Sequence, residues 1–108
     1  MYQFKNPVVL DFSGVREFAE VHLAIGNALD FPDYYGCNLD ALWDCLIDIV
    51  TEPLQLEIRG FENIEARFPE EACRLLALLS DARHYNGDRY LQHTQISIVR
   101  GGVREVLA

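Results

Sequence analysis

The sequence predicts a small α/β domain: a three-stranded parallel sheet covered by three to four helices, in one domain over residues 1–108. Three observations predict it. The chain has 108 residues, half of them hydrophobic, which suits one core and leaves no room for a second. Short β-type apolar runs alternate along it with segments of helical periodicity. Strands separated by helices are joined by right-handed crossovers, and these produce parallel neighbours.

The elements follow in order. After Pro7, the run VVLDF from Val8 to Phe12 reads as a buried strand. Ser13 is a possible helix cap, and Val15, Phe18, Val21, Ile25 and Leu29 recur at helical spacing, predicting an amphipathic helix over 14–29. His22 lies on or beside that apolar face and reads as a satisfied, partly buried histidine, not a catalytic one. The turn-rich loop FPDYYGCN follows, and Asn38 can cap a second helix from Leu39 to about Val50. The core stripe of that helix is Leu39, Leu42, Leu46, Ile49 and Val50. Pro53 ends it, and Leu54 to Ile58 alternates as a strand. A short helix over 60–68 turns Phe61, Ile64 and Phe68 inward. Pro69 suits the first turn of another, whose buried face is Ala72, Leu75, Leu76, Leu79 and Ala82. HYNGDRYLQH is a polar, aromatic loop around Asn86-Gly87, and Ile96 to Val99 is the last strand. The tail 101–108 is open between a short helix, a strand and a frayed end.

Seventeen acids against nine bases give a net charge of −8. Neither folding nor solubility requires this excess. It disfavours nucleic acid, whose phosphates need Lys and Arg, and favours a basic partner, because opposite fields speed encounter. The three cysteines, Cys37, Cys45 and Cys73, form no CxxC and no metal-type spacing with histidine. Cys37 reads as a small loop residue, and Cys45 and Cys73 as semi-buried and inert. The first ten residues do not resemble a signal peptide, and no apolar run approaches the roughly 18 residues of a spanning helix. A reduced, cytoplasmic protein without membrane contact, metal or cofactor is therefore expected.

The chemistry concentrates between Phe31 and Leu46. Asp40, Asp44 and Asp48 stand at i, i+4 and i+8, on one helix face. Like charges so spaced cost roughly 0.2–0.5 kcal/mol per pair. The helix dipole compensates Asp40 near the N-terminus but not Asp48 near the other end. An ordinary solvated face would mix in Lys or Arg, yet none occurs between Arg16 and Arg59. Tyr34, Tyr35 and Trp43 flank the stripe. Each alone would read as a packing residue; together with acids and a glycine loop they look like a protein-binding surface. A metal site is disfavoured because ligands on one straight helix do not converge. No Ser-His-Asp pattern, phosphate loop or glycine-rich fingerprint marks an enzyme.

The run YYGCNLDALWDCL, Tyr34 to Leu46, resembles the signature of the barstar family, intracellular inhibitors of barnase-type ribonucleases. The resemblance extends back through Phe31-Pro32 and the first helix with His22, and forward through PLQLEIRGF at Pro53 to Phe61. A weaker match covers Ser80 to Ala82 and the strand ISIV, so most of residues 8–99 take part. The resemblance implies an acidic helix and its preceding loop that plug a ribonuclease active site as a 1:1 complex, with carboxylates in phosphate positions. It assigns Asp44 as the central acid, Asp40 as the second helix acid, and Tyr34, Tyr35, Gly36, Asn38 and Trp43 as loop and helix contacts. Asp81 stands where the family has Glu on the last helix. The chain departs from the family where Cys37 replaces a loop acid, Asp48 a glycine and Ile49 a tryptophan, in a longer 84–95 loop and in the tail. A monomer is expected when free. The alternative is an acidic binding module for a basic partner that is not a nuclease.

Overall fold

A strand, two helices, a strand, two more helices and a terminal hairpin follow one another along the chain. The computed structural model describes residues 7–31, 36, 38–49, 54–83 and 94–107, with the side chains at 48, 49 and 83 outside that description. The elements are β1 (Val8–Asp11), α1 (Phe18–Ala28), α2 (Leu39–Ile49), β2 (Gln55–Arg59), α3 (Phe61–Arg67), α4 (Pro69–Arg83), β3 (Gln95–Arg100) and β4 (Val103–Val106). Spatial order equals chain order, β1-β2-β3-β4. The β1–β2 and β2–β3 pairs are parallel and β3–β4 is antiparallel. The α/β class and the three parallel strands are as expected, and the described residues form four helices. The three-stranded count is corrected by β4, which the tail supplies. Gly101 (φ 52°) and Gly102 (φ 84°) both hold the positive φ that a two-residue hairpin turn requires. The hairpin is tied down by Arg100, whose Nε donates to Glu65 at 2.8 Å and Nη1 to Glu105 at 2.6 Å.

Period-two alternation decides which strand residues face the helices. Val8 and Leu10, Leu56 and Ile58, and Ile96 and Ile98 are buried, while Val9, Asp11, Gln55 and Arg59 are exposed. The inward residues share one core with Val21, Ile25, Leu29, Leu42, Leu46, Phe61, Ile64, Ala72, Leu75 and Leu79 from the four helices and their ends. The helices thus cover one side of the sheet, and no described helix covers the other. Full burial of a Leu or Phe such as Leu42, Leu75 or Phe12 contributes about 1.5–3 kcal/mol each. Phe18, Leu39, Phe68 and Leu76, expected inside, are only partly buried against this core. Ile49 and Val50, also expected inside, lie outside the described side chains, as does the 84–93 loop.

α1 starts four residues later than periodicity suggests, and Ser13 is not its cap. Asn63 of α3 donates through Nδ2 to the carbonyls of Phe12 (2.8 Å) and Val15 (3.0 Å), which holds 12–15 as a turn. The Ser13 amide is already committed to the Asp11 carboxylate at 2.9 Å. Glu17 caps instead, and the Glu20 side chain accepts from the Glu17 amide at 3.1 Å in a capping-box arrangement. At the other end Asp30 (φ 56°) takes the left-handed position, and the Phe31 amide reaches back to the Gly26 carbonyl at 2.8 Å.

Candidate functional site

α2 is fixed at its start by its own sequence. Asn38 is the cap: its Oδ1 accepts from the Ala41 amide at 2.8 Å, and its carbonyl accepts from the Leu42 amide at 2.9 Å. Its Nδ2 donates to the Gly36 carbonyl at 3.2 Å, tying the preceding loop to the helix. A Cβ at Gly36 would stand 3.1 Å from Asn38 Nδ2, so the absence of a side chain there protects the cap. Leu42, Cys45 and Leu46 anchor the inner face in the core, and α2 packs against α4.

That anchoring decides where the acids point. Asp40 and Asp44 are exposed, one turn apart. Trp43 is half-buried and packs against the core with part of its surface outside. Among the described residues no ion pair or hydrogen bond engages the side chains of Asp40, Asp44 or Asp81. The described ion pairs lie elsewhere, joining Glu57 to Arg59 and Arg104, and Arg100 to Glu65 and Glu105. The segregation is written in the chain: residues 17–58 hold nine of the seventeen acids and no Lys or Arg. The negative potential of this segment is therefore offset by no cation of its own.

The structure brings Gly36, Asn38, Asp40, Trp43 and Asp44 onto α2 and its entry. Asp81 is exposed on α4, the helix against which α2 packs. Tyr34, Tyr35 and Cys37 lie outside the described residues, and so does the Asp48 side chain. Cys45 is buried, whereas Cys73 is exposed, not semi-buried. Among the described residues no cluster of three or more His, Cys, Asp or Glu gathers.

Sequence reasoning missed a groove of about 630 Å³ beside the α2 N-terminus, bordered by Phe18, His22, Leu39, Asp40, Glu71 and Arg74. Glu71 and Arg74 share a face of α4 at i, i+3, but only the α2–α4 packing brings them beside Asp40. His22 forms the inner part of this region. It is buried, sits edge-on to Phe18 at 5.5 Å between ring centroids, and Phe18 in turn meets Phe68 at 5.7 Å. Burial pushes the His22 pKa below its ordinary value of 6.5, because a charged imidazolium would lose hydration there.

The chain is similar to known proteins over most of its length. The family described as Barstar (barnase inhibitor) matches residues 6–97, which contain every element except the β4 hairpin strand and the last residues of β3. A protein of Bacillus subtilis (strain 168) named "Putative ribonuclease inhibitor YrdF" is 35% identical over 83 residues, covering 77% of this chain and 91% of that protein.

Proposed function

The chain belongs to the barstar family, and from that premise we propose that it is a stoichiometric inhibitor of a basic, barnase-like ribonuclease. It binds 1:1 and blocks the nuclease active site with α2 and the loop before it. It does no chemistry of its own and needs neither metal nor nucleotide. The cytoplasm is the compartment that fits its reduced cysteines.

One observation carries this reading. Asp40 and Asp44 project from a capped, core-anchored helix into solvent, with no partner among the described residues. A carboxylate held this way can sit where a phosphate of RNA would sit and accept the same charge-assisted hydrogen bonds from Arg, Lys and His. Asp44 is the inserted acid and Asp40 supports it one turn away. Asn38 and Gly36 shape the entry to α2, and Tyr34 and Tyr35, next to them in the chain, are the proposed loop contacts. Trp43 supplies rigid contact area at small entropic cost, and Asp81 adds charge from α4. Because the helix is capped and anchored in the core before the encounter, little ordering entropy opposes binding.

The direct test is a titration of barnase and related basic ribonucleases with the protein, following RNA cleavage. Activity is expected to fall linearly to an end point at one inhibitor per nuclease. Undiminished cleavage by every ribonuclease tried, with capture of a basic protein that is not a nuclease, would favour the general acidic binding module instead.

A further inference from the structure

Among the described residues, the sheet has one side without helices. Parallel sheets are almost always covered on both faces, since their strands are held by crossovers that bring helices to them. Here the open side carries Val9 and Asp11 from β1, Gln55, Glu57 and Arg59 from β2, Ser97 from β3, and Arg104 and Val106 from β4. Val9 and Val106 are 46% and 63% exposed. Between them lies a flat polar network. Arg59 Nε meets Glu57 at 2.6 Å, and Arg104 Nη2 reaches Ser97 Oγ at 3.2 Å and Glu57 at 3.7 Å. A shallow depression of about 320 Å³ follows this network.

We infer that the open sheet face is an interface with a second copy of this chain, arranged about a two-fold axis parallel to the strands. The register supports this occupant. Val9, Glu57, Ser97 and Val106 form one row across all four strands. Rotation about such an axis lays β1 over the partner's β4 and β2 over its β3. The row then meets its own reverse: Val9 lies over a Val106, and Glu57 over the Arg104 guanidinium that is hydrogen-bonded to the buried Ser97. In the next row Asp11 pairs with Arg59 by register and Val99 with Arg104, so Asp11 lies over an Arg104. An axis across the strands through this row would instead set Glu57 on Glu57, which like charges oppose. Net charge selects the same face. Two molecules of charge −8 repel, and this side is balanced, Asp11 and Glu57 against Arg59 and Arg104. The β4 half of the face lies beyond residues 6–97, so the family match alone does not imply it.

The face is four short strands wide. Four strands about 4.8 Å apart make a patch smaller than the ~800 Å² per partner of a standard interface. The dimer is therefore weak and concentration-dependent, and α2 stays outside it on the opposite layer. Sedimentation equilibrium of the full chain from about 10 µM to about 1 mM tests this, because weak association shows only at the upper end. The mass is expected to rise from 12.4 kDa toward twice that value. Val106→Asp and, separately, Arg104→Glu are both exposed changes and are expected to hold the chain at the monomer mass with unchanged circular dichroism. A wild-type chain that stays monomeric throughout would overturn the inference, as would variants that associate as readily as wild type.

Discussion

Gly60 joins β2 to α3 with φ 69°, and a Cβ there would stand 2.4 Å from the Ser13 amide nitrogen and 2.8 Å from its Cα. Two independent constraints, the left-handed backbone and the close approach of another backbone, thus require glycine at one position. Gly60→Ala is expected to lower unfolding free energy by about 2 kcal/mol or more, read from urea melts, because neither cost can relax through a flexible side chain. His22 sets a pH dependence of the same molecule. Its folded pKa lies below the ordinary 6.5 through burial, so the unfolded chain binds more protons. Stability is then full above pH 6.5 and falls as pH drops through 6.5 toward the folded value. The Asp11 carboxylate acts in a separate, more acidic window. The Ser13 amide, then its hydroxyl, hold its pKa below the ordinary 3.8, so the stability it contributes is lost only as pH falls further. Urea midpoints at pH 7.5 and 5.5 should differ for the wild type, and His22→Gln should flatten that difference while leaving any more acidic transition. Equal slopes for both proteins would remove His22 from the account.

At the scale of elements, α2 was legible from sequence because its determinants are local. An Asn cap, an apolar stripe and acids at four-residue spacing all lie within the helix itself, and the structure reproduces the cap, the burial of Leu42 and Leu46, and the exposure of Asp40 and Asp44. The start of α1 was not legible, because Asn63, nearly fifty residues away, holds the 12–15 turn. The β4 strand has a local signal in Gly101-Gly102, which stands between the ISIVR run and Val103 and marks a primed hairpin turn. The groove beside Asp40 has no linear signature, since Glu71 and Arg74 reach it through helix packing. The cap gives the element its own prediction. Asn38→Ala is expected to cost about 1 kcal/mol of stability and, by loosening both α2 and its tie to Gly36, to weaken nuclease inhibition further than the stability loss explains. Inhibition unchanged beside the lowered melt would mean that the loop does not depend on the cap.

For the whole molecule, charge segregation is the organising feature. Cations pair with acids around the sheet and the β3–β4 hairpin, while the 17–58 segment keeps nine acids without a Lys or Arg. Such a field accelerates encounter with a basic nuclease, so raising salt from 50 to 500 mM should slow association much more than it speeds dissociation in stopped-flow or surface measurements. General acidity would produce that result too, and the central claim is more specific: particular carboxylates on α2 fill phosphate positions. The measurement that isolates it compares two variants of equal net charge, Asp44→Ala on α2 and Glu62→Ala on α3, both exposed and both without a partner among the described residues. Asp44→Ala is expected to raise the inhibition constant for a sensitive ribonuclease by roughly thirtyfold or more, the scale of an interface hot spot, whereas Glu62→Ala changes it by no more than about twofold. Equal, small losses in the two variants would contradict phosphate mimicry by α2 and leave only a diffuse negative field.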